Sequence, residues 1–266
     1  MASTRGLSRF HRGLRTQRKN RMLAIQDVED FAKLDVGRQS RKGLPEIILA
    51  EGKTPGKVAT ITKAMVERTG RAIISRASAS HLHAIRSANL DKCVIKRFDD
   101  ARMILVKSKT HVVPKTGGRV GILTAGTSDL PIAEEASIVA SEMGCETRLY
   151  NDVGVAGIHR LFEPLKALLR WNADVILVIA GREGALPTVV AGMVDLPVVG
   201  VPTSRSYGFG GKGVAALAAM LQSCSLGMAV VNIDGGVGAG SIGALIANRA
   251  AIGRSTRKKT AKENGS

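Results

Sequence analysis

A doubly wound parallel α/β fold of flavodoxin-like or Rossmann-like type, preceded by a smaller α+β domain, is predicted for this chain by three observations. From Gly118 onward, strand-like and helix-like runs alternate to the end of the apolar sequence. The strand-like runs are continuously apolar, as strands covered on both faces require. Hydrophobic residues make up 44% of the 266 residues but aromatics only 3%. The core must therefore be built from Val, Ile, Leu, Ala and Met, which suits parallel α/β architecture better than a β-sandwich. A compact chain of this length buries about 75% of its unfolded surface, so a sizeable core is available.

The elements follow in order. Residues 1–26 form a basic extension: Arg5, Arg9, Arg12, Arg15, Arg18, Lys19 and Arg21 occur with no acid among the first 22 residues. Residues 27–116 read as the small domain. Val58, Ile61, Met65 and Val66 have helical spacing within 54–69, while RAIIS, CVIKRF and ARMILVK read as short strands. The stretch 109–118, with one Pro and a Gly pair, is the linker candidate. In the α/β domain, 117–253, the expected strands are RVGILTA (119–125), ETRLYND (146–152), DVILVIA (174–180), PVVGVP (197–202) and MAVVNID (228–234). Helices are expected near 129–143, 157–171, 184–193 and 211–223, with a last one after Gly240. Residues 254–266 form a second basic cluster, read as a tail.

Both basic ends are expected to be disordered, so much of the net charge of +17 lies where it gives salt-sensitive, sequence-blind attraction to anions. No fingerprint of specific nucleic-acid recognition accompanies it, although an Arg-rich, acid-free start also resembles an organelle transit peptide. No apolar run reaches the roughly 18–20 residues that cross a bilayer, and no secretory signal precedes the fold. The three cysteines are far apart and form no CxxC pair. A soluble protein of the reducing cytoplasm is expected, without a membrane partner.

Doubly wound sheets bind ligands outside the carboxyl ends of their strands, so the loops there are the candidate sites. After the first strand come Gly126, Ser128 and Asp129 at a helix start, where exposed N–H groups and the helix dipole favour phosphate, or where Ser128 or Asp129 simply caps a helix. After the second come Asp152, a candidate substrate contact, and His159 and Arg160, candidates for binding an anion or ordinary surface groups. After the third, Glu183 stands where a general base would serve. The fourth leads into a Gly-rich loop with Ser204, Tyr207 and Lys212, able to close over a substrate. Cys224, between two Ser residues in a loop, is a candidate nucleophile; Cys93 and Cys145 are read as structural. The last strand ends at Asp234, before a segment containing GxGxxG. That segment lacks the following strand with its acid, so it is read as a Gly-rich turn and not as a dinucleotide fingerprint.

Taken together, TAGTSD, GIHR, AGREGALP and LPVVGVP resemble the aminoimidazole ribonucleotide (AIR) carboxylases of purine synthesis, the PurE family. The segment matching AGREGALP carries a catalytic His in that family, and the matching position here is Ala185. A closer resemblance is to the LarB family, the pyridinium-3,5-biscarboxylic acid mononucleotide synthases of nickel-pincer cofactor synthesis. Its hallmarks stand as DVGVAGIHR (152–160), AGREGALPTVVAG (180–192), VPTS (201–204), SC (223–224) and VVNIDGGVGAG (230–240). DVGRQSRKGLPEIILAEGKTP (35–55) is similar to its N-terminal domain. Gly235 departs from an expected Asn, and Ser206 from an expected Gly.

The LarB resemblance implies a PurE-like fold and an enzyme that adds CO2 to the pyridinium ring of nicotinic acid adenine dinucleotide, then cleaves its phosphoanhydride. The products would be the dicarboxylated mononucleotide and AMP. It implies Cys224 as nucleophile and Glu183 as the group assisting proton removal. Anion-binding roles fall to Ser128, Asp129, His159, Arg160 and Lys212, and further substrate contacts to Gly126, Asp152, Ser204, Tyr207 and Asp234. Mg²⁺ is the expected cofactor, with no organic cofactor because the dinucleotide is the substrate. A homo-oligomer, an octamer by resemblance, is implied, with sites near subunit interfaces. The alternative enzyme is a purine-type AIR carboxylase or mutase, and the alternative of another class is a non-catalytic nucleotide or nucleic-acid binder driven by the basic ends.

Overall fold

The computed structural model describes residues 24–263, and the division by contacts gives two compact units. One runs to Arg97 and takes in Met103–His111; the other takes in Phe98–Arg102 and the chain from Val112. Of the expected extension 1–26, residues 1–23 lie outside the described residues, whereas Gln26 already belongs to the first strand. No helix among the described residues is long and apolar enough to cross a membrane.

The first unit opens with a hairpin of β1 (Gln26–Val28) and β2 (Ala32–Leu34), followed by the short helix α1 (Arg38–Lys42). A four-stranded sheet then combines β3 (Ile47–Leu49), β4 (Arg71–Ser75), β5 (Cys93–Phe98) and β6 (Met103–Ser108) in the order β3-β4-β6-β5. Strands β3 and β4 run parallel because α2 (Pro55–Thr69) crosses between them. This helix is well specified: Thr54 caps it by accepting from Lys57 N, Pro55 starts it, and Gly70 ends it at φ 80°. It buries Val58, Ile61, Met65 and Val66, the spacing seen in the sequence. Helix α3 (Ala79–Arg86) follows, its start fixed by reciprocal bonds between Ser78 and His81.

The second unit is the expected parallel sheet. It holds β7 (Arg119–Thr124), β8 (Glu146–Tyr150), β9 (Val175–Ala180), β10 (Val198–Pro202) and β11 (Met228–Val230) in the order β11-β10-β9-β7-β8. All its pairs are parallel. This is the flavodoxin-like strand order, with its switch point between β7, β8 and β9. Central β9, VILVIA, is buried at every position, and each fully buried Ile or Leu contributes about 2–3 kcal/mol. Helices α4 (Leu130–Glu142) and α8 (Gly236–Glu263) pack together on one face. Helices α5 (His159–Arg170), α6 (Ala185–Ala191) and α7 (Val214–Leu221) join the apolar cluster on the other.

Two expectations need correction. The Gly-rich segment 235–243 is not a turn: α8 begins at Gly236 and runs through it. At Gly240 an added Cβ would lie 2.4 Å from Ala136 O. The small residues serve a close helix crossing there, which outweighs their poor helix propensity. Nor does the fold stop at residue 253, because α8 continues to Glu263. Arg254 is bound in place, paired with Asp174 and donating to Gly117 O at 2.7 Å. Asp174, with its side chain only 5% exposed, also accepts from Arg119 N at 2.8 Å. That buried carboxylate keeps the Arg254 guanidinium firmly protonated, with its pKa raised.

Candidate active site

The carboxyl ends of β7, β8, β9 and β10 carry the loops expected to hold the chemistry, and the structure brings several of them together. A cavity of about 320 Å³ opens at the switch point, with Gly126, Ser128, Asp129, Arg160 and Glu183 among its lining residues. Arg182 and Arg205 line it as well, although neither was singled out from the sequence. Three guanidinium groups around one cavity make it a receptor for anions.

Asp129 is the most constrained of these groups. It is 3% exposed, and its two oxygens accept from Thr203 Oγ1 at 2.8 Å and from Gly126 N at 3.0 Å. Burial pushes its carboxyl pKa up, against the pull of those two donors and of Arg205, while Asp234 adds repulsion. Thr203 is itself fully buried, and a Cβ at Gly181 would meet its hydroxyl at 2.8 Å. Glycine at 181 therefore lets the β9 loop close onto the β10 loop. Sequence reasoning missed Thr203, because its partner Asp129 lies 74 positions away. The VPTS motif at a strand end was the available signal.

The other expected residues surround this centre unequally. Asp152 and Arg160 form an ion pair at 2.6 Å, both well exposed, so the pair adds little stability and leaves Arg160 able to exchange partners. Asp234 accepts from Ser204 N at 2.8 Å and Ser204 Oγ at 2.6 Å, tying the β10 and β11 loops together. Tyr207 stacks over Arg182 at 4.2 Å and, with Phe209, lines a second hollow of about 400 Å³ that shares Glu183. Both aromatic rings are largely exposed. Lys212 is exposed in a tight turn at φ 59°. His159, at the start of α5, is exposed and is not among the residues lining the cavity.

Cys224 is exposed, in the loop between α7 and β11, and lines neither hollow. That loop enters β11 beside the start of β10, where Val198 N donates to Gly227 O. Ser223 and Ser225 pin it to Thr188 of α6 through bonds of 2.9 Å each. The thiol thus sits on the outer flank of α6 and α7, towards the amino ends of the strands. Both hollows that Glu183 lines are formed without it.

The expected Mg²⁺ would have to take part of its coordination from substrate oxygens and water. Among the described residues there is no group of three His, Cys, Asp or Glu side chains able to hold a metal ion. Asp129 and Asp234 each commit both oxygens to protein donors. No step is assigned to the ion.

Comparison with known proteins agrees with this architecture. Residues 25–109 match the LarB/PurE-like N-terminal domain, and residues 119–264 match AIR carboxylase. The chain is a LarB-type member of the AIR carboxylase family. An uncharacterized protein of Methanocaldococcus jannaschii is 46% identical over 224 residues, covering 84% of this chain and 86% of that one. An N5-carboxyaminoimidazole ribonucleotide mutase of Thermotoga maritima is 34% identical over 92 residues, 33% of this chain and 52% of that one. One from M. jannaschii is 35% identical over 117 residues, 43% and 69% of the two chains. AIR carboxylase family members are carboxylases and mutases, and the LarB-type chain carries their catalytic fold behind an additional domain.

Proposed function

We propose that this protein carboxylates the pyridinium ring of nicotinic acid adenine dinucleotide and hydrolyses its phosphoanhydride, releasing pyridinium-3,5-biscarboxylic acid mononucleotide and AMP. One observation carries the reading. Ala185 lines the switch-point cavity where the purine enzymes resembling this chain place a catalytic His, and no histidine lines it at all among the described residues. Acid–base work there falls to Glu183, and the purine-type carboxylase or mutase loses its central group. The LarB-type N-terminal domain supports the same choice.

The chemistry requires a nucleophile because a cationic ring is too electron-poor to attack CO2. Addition of the Cys224 thiolate to a neighbouring ring carbon forms a C–S bond and leaves an enamine-like dihydropyridine. Its nucleophilic carbon bonds CO2, the proton on that carbon passes to Glu183, and departure of the thiolate restores the aromatic ring. Water then cleaves the phosphoanhydride. Arg160, Arg182 and Arg205 hold the phosphates and carboxylates, Asp129 and Asp234 orient the loops, and Tyr207 offers a face for a planar ring. Because Cys224 lies on the flank of its own chain, the thiol comes from a second copy in a symmetric homo-oligomer.

The test is mass spectrometry of products formed from the purified protein, nicotinic acid adenine dinucleotide, ¹³C-bicarbonate and Mg²⁺, beside Cys224→Ala. The expected result is a labelled dicarboxylated mononucleotide with AMP, lost in the variant. Conversion of aminoimidazole ribonucleotide instead, insensitive to Cys224→Ala, would move the protein to purine synthesis. Inertness towards both refutes the reading.

A further inference from the structure

We propose that the cavity at the amino edge of the β3–β4 pair in the first unit is a binding site for a nucleoside monophosphate. It does not depend on the carboxylation reading, which uses none of these residues. The cavity measures about 480 Å³ and lies within the segment 35–46 and the end of α2, a size suited to a small organic ligand.

Charge and unmet hydrogen-bonding capacity define what fits. Arg68 and Arg71 line one side and Asp35 and Glu46 the other, with Arg38 and Arg41 behind the acids. Four guanidinium groups against two carboxylates favour an anion. Asp35 is already committed, bound by Arg41 and by Arg38 at 3.4 Å. Arg71 is 4% exposed and donates to Gln39 Oε1 at 2.9 Å, a fixed charge in the wall. Arg68, in the last turn of α2, has no hydrogen bond or ion pair with any described residue. Its fork of donors is available for phosphate.

Glu46 supplies the complementary feature. Its Oε2 is buried and faces Arg38 Nε at 2.6 Å. Burial raises the pKa of this carboxyl, and a hydroxyl or amine of a ligand would give it a further donor. Val36, Pro45 and Met65 give an apolar surface between the two poles. Phosphate at Arg68, a ribose hydroxyl at Glu46 and a planar base against Met65 make up a nucleoside monophosphate. A simple phosphate would use one pole only.

The test is isothermal titration of the full-length protein with AMP, and with inorganic phosphate and adenosine as separate arms. AMP is expected to bind more tightly than either fragment, to weaken about tenfold or more in Arg68→Ala and severalfold in Glu46→Gln, and to keep this binding in Arg160→Ala. Arg68 is exposed, so its loss does not endanger the fold, and an unchanged melting curve checks that. Absence of AMP binding, affinity indifferent to Arg68→Ala, loss of binding in Arg160→Ala, or phosphate binding as tightly as AMP would each overturn the assignment. Loss of AMP binding in Arg160→Ala alone would place the nucleotide in the switch-point cavity, where the carboxylation reading releases AMP, and would overturn this assignment while leaving that reading standing.

Discussion

Replacing Thr203 by Val removes one hydroxyl and keeps the shape of the side chain, which makes it a direct probe of Asp129. Thr203 Oγ1 is one of two donors to a carboxylate that is 3% exposed. A hydrogen bond to a charged group contributes about 1.5–3 kcal/mol, and leaving its acceptor buried and unpaired forfeits that amount. Losing that donor pushes the Asp129 carboxyl pKa further up. The direction adds to the elevation that burial already imposes.

The sign of the pH dependence follows. A carboxyl whose folded pKa is raised stabilises the fold below its unfolded pKa, and that contribution is lost as pH rises through the folded pKa. Thr203→Val should therefore cost about 2 kcal/mol at a high pH that leaves Asp129 charged, and clearly less at a low pH that protonates it. Urea unfolding followed by fluorescence reads this directly, because the single tryptophan, Trp171, belongs to the second unit. An equal loss at both pH values would refute the reasoning, since it would mean that the hydroxyl packs against Asp129 without stabilising its charge.

Three further outcomes are expected. Asp174→Ala removes the buried partner of Arg254 and the acceptor of Arg119 N, and should destabilise the second unit by about 3 kcal/mol in the same urea assay. Gly240→Leu forces a side chain into a position where even a Cβ meets Ala136 O at 2.4 Å; a loss of about 3 kcal/mol, seen as a fall in Tm of roughly 6–12 °C by circular dichroism, is expected. Mixing Cys224→Ala with Glu183→Ala chains, after joint unfolding and refolding, should restore part of the activity that each lacks alone if, as proposed, thiol and carboxylate come from different copies; no restoration would place both in one chain.

Most of the second unit was legible because its strands must be apolar on both faces. Runs such as VILVIA then stand out against the helices between them. The hairpin of β1 and β2 was not legible, because three-residue strands of mixed burial carry no periodicity. The start of α8 was misread for a different reason: glycine signals a turn by its own propensity, while here it serves contact with Ala136 from a distant helix. Arg254 looked like part of a loose tail since nothing local announces Asp174, 80 positions earlier. Among the site residues, Gly126, Ser128, Asp129, Arg160 and Glu183 were found because their loops follow strands, and the strand order puts them at one crevice. Thr203, Arg182 and Arg205 escaped because each gains meaning only from what another loop brings to it.

The proposed reaction would have a fold shared with AIR carboxylases serve a different ring. Ala185 follows Glu183 by two positions on the same short turn, so exchanging a His for Ala at that point leaves the anion-binding crevice intact. What changes is the available chemistry. An AIR ring already carries an electron-rich carbon, and proton management is enough to carboxylate it. A pyridinium ring must first be made electron-rich, which needs a nucleophile rather than another acid–base group. The proposed nucleophile, Cys224, sits in a loop pinned to α6 by Ser223 and Ser225, next to Leu221 and Leu226, which are 68% and 91% exposed. Uncovered apolar side chains beside the thiol are what a subunit contact would bury. On this argument, a polar substitution at Leu226 should weaken oligomerisation and activity together, measured by sedimentation and product formation. Loss of activity in a fully assembled Leu226→Asn protein would instead locate the effect in the loop itself.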